Sequence, residues 1–397
     1  MRAQRSRRLV GTTALIAAAA LVLAGCSDSS ATGTGGQAVN SQAAEGDKSA
    51  LKGICPDNVV FQTNWWEQAE YGGLYRLFGP NPTIDGNKNK VTGTLVDNGT
   101  DTGVKLEIRA GGPANNYTPS TSLLYSDDSI MFGGADLDQV AQLSGTDKPV
   151  LSVFAPLDLS PVVLMWDPAQ HPDFNTIADI GQTNVKVAYF QGAVYMAYLT
   201  GAGLLRPSQV SATYGGTPDG WKAAKPPGSI VQQGYLTNEV LYYPNDPKTW
   251  GKPVDYQLVA DSGYPVYPET VTIRPDKKQQ YSACLKKLIP IMQRSTAGYA
   301  KDPSTTNTFL AEIGKKYTKS FGYSKEQGDA AAKAMKDNGI LGNGKNKTVG
   351  DFDDSRVQRI IEIVTPIFAG QRTPVKDGLK PADMVTNEFI DTSVGIS

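Results

Sequence analysis

Between Val59 and Pro268 the chain alternates short apolar runs with longer stretches of helical periodicity, and that alternation specifies an α/β fold. Val59–Thr63, Val104–Arg109, Ser129–Phe132 and Val150–Phe154 read as strands. Gly111-Gly112-Pro113 stops the second, and Gly133-Gly134-Ala135-Asp136 separates the third from a helix over Leu137–Leu143. An extended apolar segment follows at Pro161–Met165, then strands at Val185–Phe190, Ser229–Gln232 and Tyr256–Val259. Gln191-Gly192-Ala193 opens a helix running to about Leu205. From Pro268 the pattern turns helical, at Lys277–Arg294, Asn307–Tyr317, Lys325–Asn338 and Asp354–Phe368. The expected architecture is a first lobe over 53–160, an inserted lobe over 161–265 and a return over 266–397. Two crossings, near Leu157–Val163 and Tyr264–Pro268, would form the hinge.

The first 52 residues stand apart from this pattern. Arg2, Arg5, Arg7 and Arg8 precede an apolar, alanine-rich run from Leu9 to Leu23, shorter than the ~20 apolar residues a membrane span needs. It ends in Leu23-Ala24-Gly25-Cys26, which resembles the lipobox of bacterial lipoproteins. The resemblance implies a signal peptide over 1–25 and lipidation of Cys26, hence a protein anchored on the outer face of the cytoplasmic membrane. Residues 26–52, rich in Ser, Gly, Ala and Thr, read as a flexible tether. In that oxidising compartment the two remaining cysteines, Cys55 and Cys284, are expected to pair; the alternative is two buried free thiols.

The remainder, about 345 residues, is enough for two domains. A formal net charge of −1 and 19% charged residues disfavour nucleic acid or an acidic membrane surface as partner. A single histidine argues against His-based metal sites, and no metal or cofactor is expected. The 18 tyrosines, apolar in face and polar at the tip, suit a binding cleft.

Ile108-Arg109-Ala110-Gly111-Gly112-Pro113, Gly133-Gly134-Ala135-Asp136, Ser160-Pro161-Val162, Thr176–Ile180 and Gln233–Glu239, in that order, resemble one group of solute-binding proteins. That group serves ATP-driven importers for nitrate, alkanesulfonates, taurine, thiamine pyrimidine precursors and riboflavin. The first-loop run Asn64–Tyr75 looks most like the pyrimidine-precursor branch, although Glu70 or Tyr71 stands where that branch often has a His. The resemblance spans roughly Val59 to Pro268. It implies a two-lobed periplasmic-binding-protein fold of type II, a monomer, and permease and ATPase partners.

Ligands of open α/β sheets bind beyond the carboxyl ends of the strands, where helix N-termini present free N–H groups. In the first lobe this selects Asn64, Trp65, Trp66, Glu67 and Tyr71, with either Trp also able to pack inside. Gly111, Gly112 and Gly134 would let the backbone approach a ligand, or form tight turns; Tyr117 lies on the same rim. Asp136 reads as a helix cap. In the inserted lobe the candidates are Gln191, Gly192, Tyr195, Tyr235, Asn238 and Glu239. Glu239 in a cleft would favour an amine-bearing ligand and disfavour an anion, or is a solvated helix-start glutamate.

The expected function is capture of a small aromatic heterocycle, aminopyrimidine-like or flavin-like, for an importer. A nitrate, alkanesulfonate or taurine binder is the alternative, and it would want Arg or Lys in the cleft. A pyrimidine-precursor synthase on the same fold consumes its own His and carries clustered cysteines. This sequence has its one His in a loop and no such cluster, so no enzymatic activity is expected. Nor does it contain a nucleophile elbow, a zincin motif or a Walker loop.

Overall fold

The computed structural model describes residues 50–317 and 323–397. The signal-like segment, Cys26 and residues 27–49 lie outside the described residues. The packed part begins at Leu51, which is fully buried and donates its N–H to the Thr102 carbonyl. The stretch read as tether is therefore structured at its end.

Among the described residues, twelve strands form two sheets. In chain order they are β1 (Asn58–Gln62), β2 (Thr83–Asp85), β3 (Lys90–Asp97), β4 (Thr100–Arg109), β5 (Phe132–Ala135), β6 (Leu151–Phe154), β7 (Val162–Trp166), β8 (Val187–Ala188), β9 (Val210–Ser211), β10 (Val231–Tyr235), β11 (Asp255–Leu258) and β12 (Thr270–Ile273). The first sheet has the order β2-β3-β4-β1-β5-β12-β6, the second β11-β7-β10-β8-β9. Setting aside the β2–β3 hairpin, both follow one plan. Three parallel strands are joined by an antiparallel strand that has just crossed from the other sheet, β12 in the first and β7 in the second. A last strand, β6 or β11, pairs antiparallel with that crossing strand. The chain thus passes between the lobes twice, from β6 to β7 and from β11 to β12, the two-crossing hinge of a two-lobed fold.

β2, β3 and β9 lie where the sequence reading places no strand, and three further elements depart from it. Thr270–Ile273 falls within the expected helical tail; it is β12, buried on both faces, and its alternating, β-branched Thr-Val-Thr-Ile run is a strand signal that the sequence reading passes over. The strand expected at Ser129–Phe132 is displaced to Phe132–Ala135, which puts Gly134 inside β5 and not in a loop. The strand expected at Ser229–Gln232 is displaced to Val231–Tyr235, so Tyr235 closes it.

The helical tail lies on both lobes. The helix Asp354–Ala369 starts where the Asp353 side chain accepts the Arg356 N–H at 3.0 Å. Val357, Ile360, Ile361, Val364 and Phe368, at helical spacing, are buried and pack on the helices Leu137–Leu143 and Val194–Gly201, one from each lobe. The helix Lys325–Asp337 begins with a Ser324–Gln327 capping box and packs on the short helix Glu239–Tyr242 of the second lobe. At about 1.5–3 kcal/mol for each fully buried aliphatic side chain, these contacts resist separation of the lobes.

Arg356 ties the two crossings together. It donates to the Asp158 carbonyl and, at 2.8 Å, to the Asp158 carboxylate on the first. On the second it donates to the Pro265 carbonyl at 2.7 Å and the Val266 carbonyl at 3.2 Å, with its guanidinium 3.7 Å from the Tyr267 ring centre. Cys55 and Cys284 form a disulfide, joining the start of the first lobe to the helix Lys278–Lys301.

Candidate functional site

The loop after β1 is shaped from below. The Thr63 hydroxyl donates to the Trp65 carbonyl at 2.6 Å, turning the chain sharply. Gly111 lies so close that a Cβ there would sit 2.2 Å from the Thr63 carbonyl oxygen, and Gly112, at φ +58°, lies against the Trp65 ring. Both glycines thus seat the two loops on each other, the tight-packing alternative.

The turn sends the two tryptophans opposite ways. Trp66 is 2% exposed and packs in the first-lobe interior against Tyr317, with ring centres 6.1 Å apart. Glu67 is buried and acts electrostatically on Tyr75 and Tyr317. Trp65 is half-buried and meets Tyr117, itself 59% exposed, at 6.1 Å on the rim. Stacking between two first-loop tryptophans is therefore not available to a ligand.

Carboxylates gather between the lobes instead. Glu70 is buried after the first loop, and its Oε1 accepts a 2.5 Å hydrogen bond from the hydroxyl of Thr237, which follows β10. That contact spans the lobes. Glu239, buried at 6% exposure, accepts from the Tyr214 hydroxyl and the Tyr235 N–H, each at 2.8 Å. Asp136, expected as a helix cap, makes no side-chain cap bond; its Oδ1 accepts the Glu269 N–H at 2.9 Å. Glu269 ends the second crossing at φ +53°, a left-handed conformation that is uncommon outside glycine and gathers at functional positions. Its Oε2 is closed off from solvent, lies near Gly134 and has no hydrogen-bond partner. Asp138 accepts from the Tyr264 hydroxyl at 2.6 Å.

Tyrosines line the same space. The Tyr71 hydroxyl donates to the Asn64 side-chain oxygen, and the Tyr195 hydroxyl donates to Gln233 Oε1 at 2.5 Å. Gln233 Oε1 also holds the Phe190 N–H, so Gln233 fixes the loop after β8. Gln191, Gly192 and Asn238 are exposed.

Removal from water raises the carboxyl pKa of Glu70, Asp138, Glu239 and Glu269, the last well above its usual range; Asp136 is pushed up to about 7. Neighbouring acids add to the rise, Asp136 and Glu70 on Glu269, and Asp138 on Asp136. Asn64 and Tyr71 come close enough to Glu269 to oppose it. Among the described residues no Lys or Arg pairs with any of the five. Arg109, the cation nearest the rim in sequence, is bound to Glu107 at 2.6 Å and Asp127 at 2.7 Å.

Sequence reasoning named Glu239, Tyr71, Tyr195 and Tyr235 but did not select Glu70, Asp136, Asp138, Tyr264 or Glu269 as candidates. The signal for Glu269 was its place beside Pro268 in the expected second crossing.

No family model matches the sequence, and no curated protein matches it. Solved structures do. The periplasmic aliphatic sulphonate binding protein of Escherichia coli superposes with a TM-score of 0.52 at 12% identity, over 85% of this chain and 92% of that one. A periplasmic sulfonate-binding protein of Methylobacillus flagellatus gives 0.51 at 11% identity, over 84% and 93%. The ligand binding component of an ABC-type import system of Staphylococcus aureus, with zinc bound, gives 0.50 at 12%, over 85% and 100%. The likeness is one of fold: this chain has the two-lobed periplasmic-binding-protein fold.

Proposed function

We propose that this protein is the solute-binding component of an ATP-driven importer, held outside the cytoplasmic membrane by lipid on Cys26, and that its solute bears a basic amine. The fold supports the importer role, with a permease and an ATPase as partners, and the lipobox-like segment supports the location. No helix among the described residues is long and apolar enough to cross a membrane. The observation that carries the solute class is the set of carboxylates contributed by both lobes, Glu70, Asp138 and Glu239 buried and Asp136 and Glu269 half-buried, with no lysine or arginine paired to them among the described residues. Buried charge is costly unless paired, and a cationic amine supplies the missing partner.

The tyrosine faces of Tyr71, Tyr195 and Tyr235 keep an aminopyrimidine-like heterocycle within the class, through stacking and cation–π contact. A flavin without a basic amine fits less well. Nitrate and alkanesulfonates without an amine would bring negative charge to acidic groups and find no cation there among the described residues, so the ligands in the neighbours' names are not carried over.

The test is thermal unfolding of the full chain in mild detergent, with aminopyrimidines and simple amines set against nitrate and alkanesulfonates that carry no amine. A solute at ~100 times its Kd adds about 2.7 kcal/mol of stability, which raises Tm by a few degrees in a protein of this size. Amines alone should give the rise. A rise with sulfonate or nitrate and none with amines sinks the solute assignment and leaves the importer role standing.

A further inference from the structure

We infer that the solute is at least a dication: one primary ammonium seats between Glu70 and Glu269, and a second positive charge faces the carboxylates beyond, Asp136 foremost. This rests on the amine reading above and narrows it.

The first seat is a cavity of about 20 Å³ lined by Glu70, Tyr71, Glu269 and Thr296 over an apolar floor that includes Phe61 and Met292. That is room for one water-sized group, and a primary ammonium is such a group. Its three N–H donors suit acceptors on different sides. Glu269 Oε2 is sealed from solvent with no hydrogen-bond partner, and a left-handed backbone holds the residue there. Asn64 and Tyr71 reach the Glu269 carboxyl, so what is left for a ligand to complete is the one oxygen, Oε2, on a residue in a strained conformation.

One ammonium in that seat leaves Asp136, Asp138 and Glu239 without a cation. The hydrogen bonds these three accept come from neutral donors, Tyr264, Tyr214 and backbone N–H groups. The carboxylates also do not converge: among the described residues no three His, Cys, Asp or Glu side chains are grouped to hold a metal ion. Acids spread over segments from both lobes call for charge spread along the solute, which a molecule with two separated basic groups provides.

The experiment is calorimetric titration of the full chain in mild detergent with paired probes. Xylylenediamine is compared with benzylamine, and diaminobutane with butylamine, so that each pair shares its carbon frame and differs in the second charge. The wild type should bind at least one diamine tenfold or more tightly than its monoamine partner. Glu269→Gln should weaken both members of that pair at least tenfold. Asp136→Asn should weaken the diamine alone, bringing it to the level of the monoamine. Each variant keeps the shape of the group it replaces, and circular dichroism checks that it folds. Equal affinity for monoamine and diamine would overturn the dication and leave the amine reading intact. Failure of all four amines, with an amine-free alkanesulfonate or nitrate bound, would overturn both.

Discussion

Raising the pH from about 5 to 8 without solute should weaken the fold, and Asp136 sets the scale. Its carboxyl, ordinarily at 3.8, is held at about 7 in the folded protein, chiefly by removal from water and then by Asp138. Between those values the folded chain keeps a proton that the unfolded chain has released, so stability falls as pH rises and levels off above the folded pKa. One such proton costs up to about 1.4 kcal/mol per pH unit, or roughly 3 kcal/mol between pH 5 and 7. Glu70, Asp138, Glu239 and Glu269, also raised, act in the same direction. His171 opposes them. Burial lowers its pKa from 6.5, so its share of stability grows as pH rises through that region. Guanidinium unfolding at a series of pH values, on wild type and Asp136→Asn, separates these contributions. The wild type should lose stability steadily to about pH 7, and the variant's slope should be shallower by up to one proton. A wild-type curve flat or rising over that range, or an unchanged slope in Asp136→Asn, would refute the reasoning that these acids are buried without a cation.

Three further expectations follow from the packing. Replacing Cys55 and Cys284 by serine opens a link between residues 229 apart in sequence, which on loop-closure entropy costs about 5 kcal/mol, read as a lower denaturation midpoint. Arg356→Met removes the side chain that holds both crossings and leaves Asp158 without its partner, at about 3–5 kcal/mol; hydrogen exchange should quicken at Asp158 and at Pro265–Tyr267. Trp66→Ala should destabilise by about 3–5 kcal/mol, and the fraction still folded should bind solute with wild-type affinity, because Trp66 packs on Tyr317 inside the first lobe.

What the sequence disclosed depended on whether the signal was local. The helix Leu137–Leu143 matches its expected bounds and Lys325–Asp337 falls within one residue, because helical periodicity is carried by neighbours in sequence. β12 went unnoticed although its Thr-Val-Thr-Ile run alternates and is β-branched, because four residues are too short a window for a period to decide and the helical tail follows at once. The orientation of Trp65 and Trp66 depends on a turn fixed by Thr63 and Gly111, which no pattern of residue types encodes. Glu239 was legible from its place after a strand end, and the preference for an amine from its charge. Glu70, Asp136 and Glu269 come from separate segments, and only the sheet order that places β1, β5 and β12 side by side gathers them.

The same carboxylates bear on how a two-lobed binder would tell an occupied cleft from an empty one. Glu239 belongs to the second lobe; Glu70 and Asp136 belong to the first, with Glu269 at the foot of the second crossing. Closing the cleft brings like charges together in a medium that screens them poorly, so an empty cleft resists closure unless the acids take up protons. Against that stand contacts needing no solute: the Thr237–Glu70 hydrogen bond, the Arg356 clamp and the tail helices packed on both lobes. A solute shifts such a balance only by what it adds to the closed state over the open one. For a neutral or anionic molecule that difference is small or unfavourable. A cation converts the repulsive term into an attractive one, and a second charge does so for the carboxylates the first leaves unpaired. On the proposed reading, selectivity and closure therefore rest on the same charges, and a permease that recognises the closed form would be responding to the charge of the cargo.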